Sequence, residues 1–215
     1  MSRYLGPKIK IIRRLGPLPG LTCKESIRKF PPGEHGKKLS EKIKKDKISQ
    51  FSKRLYEKQK ARYHYGLTDG TLLNYVRKAR KSKESAGEYL LQLLEMRLDN
   101  IVFRCGYAPT ILSARQLVNH GHILVNEKSI NIPSYTCQVQ DQINLVPKVQ
   151  QARVNGKMMF SNSSTSLIAD YAALPNHLVF DETSKGICIQ RMVSREDISL
   201  DISDLLILEY YSRKL

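Results

Sequence analysis

Acidic residues are scarce in this chain: 20 Asp and Glu stand against 36 Lys and Arg among 215 residues, a formal net charge of +16. A polyanionic partner is the simplest reason for a chain of this length to tolerate such self-repulsion. No run of about 18 apolar residues occurs, so no segment is expected to span a bilayer and no membrane partner is expected. The opening MSRYLGPKIKIIRRLG lacks the uninterrupted apolar stretch and small-residue cleavage site of a secretory signal. Its Gly and Pro also exclude the amphipathic helix of a transit peptide. Cysteine is sparse as well: Cys23, Cys105, Cys137 and Cys188 are scattered without a CxxC pair. Neither a zinc site nor a disulfide framework is expected, and the thiols fit a reducing compartment. There is no Gly-rich phosphate loop and no legible set of nucleophile and base, so the reading is of a non-enzymatic protein without cofactor or metal.

What is present is unevenly placed. Residues 1–95 carry 24 Lys and Arg against 9 Asp and Glu, a net of +15, whereas residues 96–215 carry 12 against 11, a net of +1. A single charged helix face is usually only solvated, but an imbalance of this size over 95 residues points to phosphate contacts. Within residues 1–45, Gly6-Pro7, Gly16-Pro17, Pro19-Gly20 and Pro31-Pro32-Gly33 argue against long regular structure, so a basic extended segment is expected. Arg3, Lys8, Lys10, Arg13 and Arg14 are its candidate RNA contacts, and Ile9, Ile11, Ile12 and Leu15 argue that part of it docks.

Residues 46–95 read as the first part of a helical domain. A helix from about Ser49 has Phe51 and Leu55 four apart and Gly66 as its stop, and Lys53, Arg54, Lys58, Lys60 and Arg62 make it basic on most of its circumference. Thr68 caps a second helix whose apolar stripe is Leu72, Leu73, Val76 and Ala79. Arg77, Lys78, Arg80, Lys81 and Lys83 crowd its end, more cations than the helix dipole calls for. Ser85 and Glu88 form a capping box that opens a third, apolar helix through Tyr89, Leu90, Leu93 and Leu94.

Residues 96–160 hold the most informative pattern. Leu98, Ile101, Val102 and Cys105 follow the spacing of a buried helical face, with Arg97, Asn100 and Arg104 on another. Gly106 stops that helix, and Pro109-Thr110 opens the next, where Ile111, Ala114, Leu117 and Val118 point inward and Gly121 ends it. Arg115, Asn119 and His122 recur at i, i+4, i+7, with Gln116 and His120 beside them, so guanidinium, amide and imidazole groups are expected to converge on one surface. Such a mixture suits a shaped RNA, because Arg forks grip phosphate while amides reach sugars and base edges. HILVNEKSINI then reads as strand, turn, strand, ended by Pro133, and VQDQINLV as a third strand with Val139, Ile143 and Leu145 on its apolar side. Asn126 and Lys128 at the hairpin complete the candidate RNA-binding set. A metal on His120 and His122 is disfavoured, since the nearest cysteines, Cys105 and Cys137, are single.

RLDNIVFRCGYAPTILSARQLVNHGHILVNEKSINIPSY resembles the RNA-binding domain named for ribosomal protein four of the small subunit. SRYLGPKIKIIRRLG, EKQKARYHYG, LLQLLEMRLDN, LPNHLVFD and LEYYSRKL extend the likeness to both ends, with about residues 21–52 and 149–173 poorly covered. LPGLT, HYGLT and LEYYSRKL resemble the plastid branch. Some bacterial relatives bind zinc through several N-terminal cysteines, where this chain has only Cys23. The family usually carries Asn-Gly where this chain has Asn126-Glu127, which puts the tightest two-residue turn, with positive φ at both centres, in question. The resemblance implies binding to small-subunit ribosomal RNA at a multi-helix junction of the 5′ domain early in assembly. It also implies contact with small-subunit ribosomal protein five, a place near the mRNA entry and an influence on decoding accuracy. The location it implies is the chloroplast stroma, with the bacterial cytoplasm as the alternative.

Residues 161–215 are nearly neutral. PKVQQARVNGKMM before them reads as a continuing helix and SNSSTS as a surface link. LVFD and GICIQRMV read as a hairpin, and LLILEYY as a final apolar strand, these strands packing back on the helical domain with Tyr210 and Tyr211 at the rim. The expected fold is therefore α+β: a basic extended N-terminal segment and a helical domain, with an inserted RNA-binding module of two helices plus a small β-sheet. An enzyme using the same module, such as a pseudouridine synthase or a tRNA-charging enzyme, is the alternative. It would need a catalytic domain that these residues do not supply.

Overall fold

A computed structural model describes residues 4–28, 30–36, 49–83, 85–147, 174–181 and 186–212. Arg3, the helix expected over PKVQQARVNGKMM after Pro147, the SNSSTS link and the turn of the closing hairpin lie outside the described residues. The chain divides into two compact units, Met1–Leu91 with Leu200–Leu215, and Gln92–Ser199. The class is α+β, with seven α-helices and one five-stranded antiparallel sheet among the described residues.

The first unit is helical. α1 (Lys8–Leu15) forms where only extended chain was expected, because Pro7 and Gly16 sit at its ends and none of its eight residues is Gly or Pro. Gly16 takes φ 84° and donates its N–H to the Ile12 carbonyl, which closes the last turn. Ile11 and Leu15, four apart, are buried, and the Tyr56 hydroxyl of α2 donates to the Leu15 carbonyl at 2.8 Å. α2 (Gln50–His64) starts at Ser49, whose side chain accepts from the Ser52 N–H. Its inward face is Lys58, Ala61 and His64. Phe51, one of the apolar pair that marked the helix in the sequence, is 58% exposed.

α3 (Asp69–Lys81) is capped by Thr68 and buries Leu72, Val76 and Ala79, as the spacing required. α4 (Ala86–Glu95) contributes Leu90 and Leu91 to the interior. Gly87 lies so close to the Asp204 carboxylate that a β-carbon there would collide with it. Asp204 opens α7 (Asp204–Ser212), a helix where LLILEYY read as a strand. The β-branched and aromatic letters favoured a strand, but Ile207 and Tyr211, four apart, are the buried pair, and Leu205 faces solvent. Packing along α2 thus overrides intrinsic propensity. Tyr211 lies inside the unit and not at a rim.

In the second unit α5 (Leu98–Arg104) and α6 (Ile111–Asn119) pack on each other. Leu98, Ile101, Val102, Ala114, Leu117 and Val118 enter one core with Ile123, Val125, Ile143, Ile187 and Ile189 of the sheet. Arg97, the residue before α5, cannot cap it with an oxygen. The carbonyls of Tyr135 and Pro133 accept instead from the Leu98 and Asp99 N–H groups at 2.9 and 3.1 Å. The strands are β1 (Ile123–Val125), β2 (Lys128–Ser129), β3 (Gln142–Leu145), β4 (Leu178–Asp181) and β5 (Gly186–Ile189), in the order β2-β1-β3-β5-β4. Gln142 pairs with Cys188 and Ile143 with Ile187, so the closing hairpin, expected as strands of the helical domain, forms the edge of this sheet. β2 ends at Ser129, well before Pro133. Val139 precedes β3 and is exposed, while Ile143 and Leu145 are buried.

Candidate nucleic-acid interface

The arginines that were expected on an RNA-facing surface converge instead on two buried carboxylates. Arg97 is 3% exposed and grips Asp99, itself fully buried, from both sides: Nε donates to Oδ1 at 3.0 Å and Nη2 to Oδ2 at 2.8 Å. Arg115, one helix away on α6, donates to the same Oδ2 through Nη2 at 2.6 Å and Nε at 3.1 Å. Glu95 is the second centre. Arg104 donates Nη2 to Oε1 at 2.8 Å and Nε to Oε2 at 3.2 Å, and also reaches the Ser199 hydroxyl. The Asn100 amide donates to the Glu95 carbonyl at 3.1 Å and to its carboxylate. Each carboxylate thereby holds two donors in the low-dielectric interior, where a charge is tolerated only when so partnered. Arg97 and Asn100 are inside the unit, which corrects the expectation that they form part of an open surface.

The polar residues that do reach solvent lie at the far end of α6 and on the hairpin. Gln116, Asn119 and His120 are exposed, His122 is half-buried, and the two imidazoles meet edge to face with centroids 5.7 Å apart. Lys128 is exposed on β2. Asn126 and Glu127 form the two-residue turn with φ of 49° and 66°, so the tight turn survives without glycine. The Asn126 side chain explains part of this: its Oδ1 accepts from the Gln142 N–H at 2.9 Å, and its Nδ2 donates to Asp141 Oδ1 at 2.8 Å. It is thus held within the sheet while its backbone tops the turn. Nearby, burial pushes the Cys137 thiol well above its ordinary range, with Asp141 and Asp99 adding to the effect, so it stays protonated at neutral pH.

The first unit shows a similar division among its cations. On α2, Arg54 pairs with Glu209 at 2.6 Å and Lys58 with Asp69 at 2.5 Å, with the Lys58 ammonium 5.1 Å from the Tyr210 ring centre. Lys60 donates to the Asp201 carbonyl, and Arg62 donates to Gln59 Oε1 at 3.2 Å with its Nε 3.7 Å from Asp69. Only Lys53 of the five expected contacts on this helix is fully exposed. On α1, Arg13 donates to the Phe30 and Pro31 carbonyls, Lys8 is half-exposed, and Lys10 and Arg14 are exposed.

Residues 3–95 match the ribosomal protein S4/S9 N-terminal domain, and residues 96–143 match the S4 domain, an RNA-binding module. Full-length relatives agree with both matches. The chain is 52% identical over 214 residues to small ribosomal subunit protein uS4c of Chaetosphaeridium globosum and 51% identical over 216 residues to that of Funaria hygrometrica, covering all of each chain. It is 46% identical over 213 residues to uS4c of Oltmannsiellopsis viridis, spanning 99% of this chain and all of that one.

The chain belongs to the uS4 family of ribosomal proteins. As a uS4 family member it is a ribosomal structural protein and not an enzyme. The S4 match ends at Ile143, inside β3, so in this uS4 chain β4 and β5 complete the sheet from beyond the matched module. Glu95 and Asp99, the acids around which this uS4 chain gathers Arg97, Arg104 and Arg115, were missed from the sequence, although both stand as the acids of the largely apolar run LLQLLEMRLDNIVF.

Proposed function

We propose that this chain binds small-subunit, 16S-type ribosomal RNA directly in a plastid ribosome, helps to nucleate assembly of the subunit body and influences translational accuracy. The observation that carries the reading is the separation of two kinds of polar group. Among the residues expected to contact RNA, Lys10, Arg14, Lys53, Gln116, Asn119, His120 and Lys128 are exposed and have no ion pair among the described residues, and a positively charged exposed set of this kind is what a phosphate backbone requires. The amides and imidazoles at the end of α6 would read sugars and base edges, as recognition of folded RNA demands. The names of the relatives, all uS4c, support the plastid location and the assignment to the small subunit. Small-subunit ribosomal protein five and mRNA near its entry are the further partners in this proposal.

The test is binding of the purified protein to a transcript of the small-subunit RNA 5′ domain across a salt series, with a large-subunit fragment of equal length as competitor. Preference for the small-subunit transcript with a steep log-log salt dependence is expected, about −0.7 to −0.9 per phosphate contacted. Equal affinity for both RNAs overturns the proposal.

A further inference from the structure

The cations of α2 and α3 differ in one respect that the sequence does not display. α2 is compensated: Asp69, Glu209 and the Asp201 carbonyl hold four of its five cations. α3, DGTLLNYVRKARK, contains a single acid, and that acid is Asp69, which lies at the helix start and is engaged with Lys58 and Arg62 of α2. No acid of α3 itself is left for its C-terminal cations. Asn74, Arg77, Lys78 and Lys81 recur at i, i+3, i+4, i+7, so they share one face, and all four are exposed opposite the buried Leu72, Val76 and Ala79. Among the described residues none of Arg77, Lys78 and Lys81 has an ion-pair partner; Lys78 has only the Tyr75 ring, 6.0 Å away.

We propose that this face of α3, built from Arg77, Lys78 and Lys81 with Asn74 at its upper edge, is a phosphate-tracking site for the backbone of a folded RNA. Three cations within five residues, just over one helical turn, with the helix's own Asp69 engaged elsewhere, present a rigid cluster of donors in which Lys81 lies about 5 to 6 Å from each of Arg77 and Lys78, within reach of neighbouring phosphates. The rigidity follows from Thr68, whose hydroxyl accepts the Thr71 N–H, and from the fully buried stripe beneath. Helix stability alone does not account for the row, because the dipole acts on the last turn and Arg77 lies before the last-turn cations Lys78, Arg80 and Lys81. Asn74 adds neutral donor and acceptor groups that can bond a phosphate or ribose oxygen without changing the charge.

This site rests on the RNA-binding reading above, and the experiment separates the two. The full-length protein is compared with a triple variant, Arg77→Gln with Lys78→Gln and Lys81→Gln, and with the single variant Asn74→Glu, in salt-dependent binding to the small-subunit RNA 5′-domain transcript. The triple variant should flatten the log-log salt slope by about 2 to 3, one phosphate contact per cation removed. Asn74→Glu gives the α3 cations a carboxylate partner of the kind that Asp69 and Glu209 give those of α2. It should flatten the slope by about 1 while leaving the thermal midpoint unchanged or raised, since Glu four residues before Lys supports a helix. An unchanged slope in either variant overturns the site, as does a loss of binding that appears only with a lowered midpoint. A wild-type slope near zero overturns the RNA reading itself.

Discussion

Arg97, Arg104 and Arg115 in the second unit and Lys10, Arg14, Arg77 and Lys81 in the first would be scored alike by any count of basic residues. Their surroundings separate them. The three arginines each face a buried carboxylate at salt-bridge distance, whereas the four cations of the first unit are exposed and have no ion pair among the described residues. The near-neutral second unit therefore uses its charges to hold α5 and α6 together, and the first unit leaves much of its charge outward. A basic residue takes its role from the nearest acid, and the acids of this chain are few enough to decide the matter.

The largest effect should come from removing the centre of the interior group. Asp99→Ala leaves Arg97 and Arg115 as buried charges without their carboxylate, which costs about 3 to 5 kcal/mol and is read as a lowered midpoint in urea unfolding. A loss below about 1 kcal/mol would mean that the arginines escape to solvent, and the contrast between the units would collapse. A smaller, pH-dependent effect is expected at His177, which is buried and whose ring nitrogens have no hydrogen-bond partner among the described residues. Burial lowers its pKa below 6.5, more than the nearby Asp197 and Glu95 raise it; Arg104 and Arg191 lower it further. Its unfolded form binds a proton more readily, so stability is full above the unfolded pKa and falls as pH drops below it. Asp197 is affected in a separate window: burial raises its pKa, but bonds from Ser194 and the charges of Arg191 and His177 outweigh it and hold the carboxyl below its ordinary value. Its contribution is lost only in stronger acid. Thermal melts at pH 7.5 and 5.5 should show a drop that His177→Phe reduces; an equal drop in both proteins removes His177 as the cause. The smallest stability effect belongs to Lys128→Ala, expected within about 0.5 kcal/mol of wild type because the side chain is exposed. Its salt slope for RNA should nevertheless flatten by about 0.7 to 0.9, and an unchanged slope removes Lys128 from the interface.

Much of the helical framework was legible because it is written in local chemistry. Ser49, Thr68 and Thr110 each accept an N–H three residues on, and the stripes Leu72-Val76-Ala79 and Leu98-Ile101-Val102 are buried as their spacing requires. The errors arose where tertiary partners decide. The KIKIIRRL segment became a helix because its breakers flank it. LLILEYY became one because α2 offered a groove that two residues four apart could fill. In the interface, the exposed face of Gln116, Asn119 and His120 followed from helical periodicity, but the fate of Arg97 and Asn100 did not. Two residues on one helical face can point toward solvent or toward a carboxylate supplied by the preceding turn, and spacing alone does not distinguish them. Glu95 and Asp99, acids inside a largely apolar run, carried that missing information.

The turn at Asn126-Glu127 has a consequence in chemical ageing. Asparagine loses its amide when the following backbone nitrogen attacks the side-chain carbonyl, a cyclisation that a following glycine permits most readily and a side chain hinders. Glu127 takes a left-handed conformation at φ 66°, at a cost of about 1 kcal/mol relative to glycine, and in the same position it shields its neighbour. Deamidation would replace the donor that Asp141 Oδ1 now meets at 2.8 Å with a second carboxylate, and like-charge repulsion would weaken the tie between the turn and β3. Local strain at this corner is exchanged for a longer lifetime of the sheet.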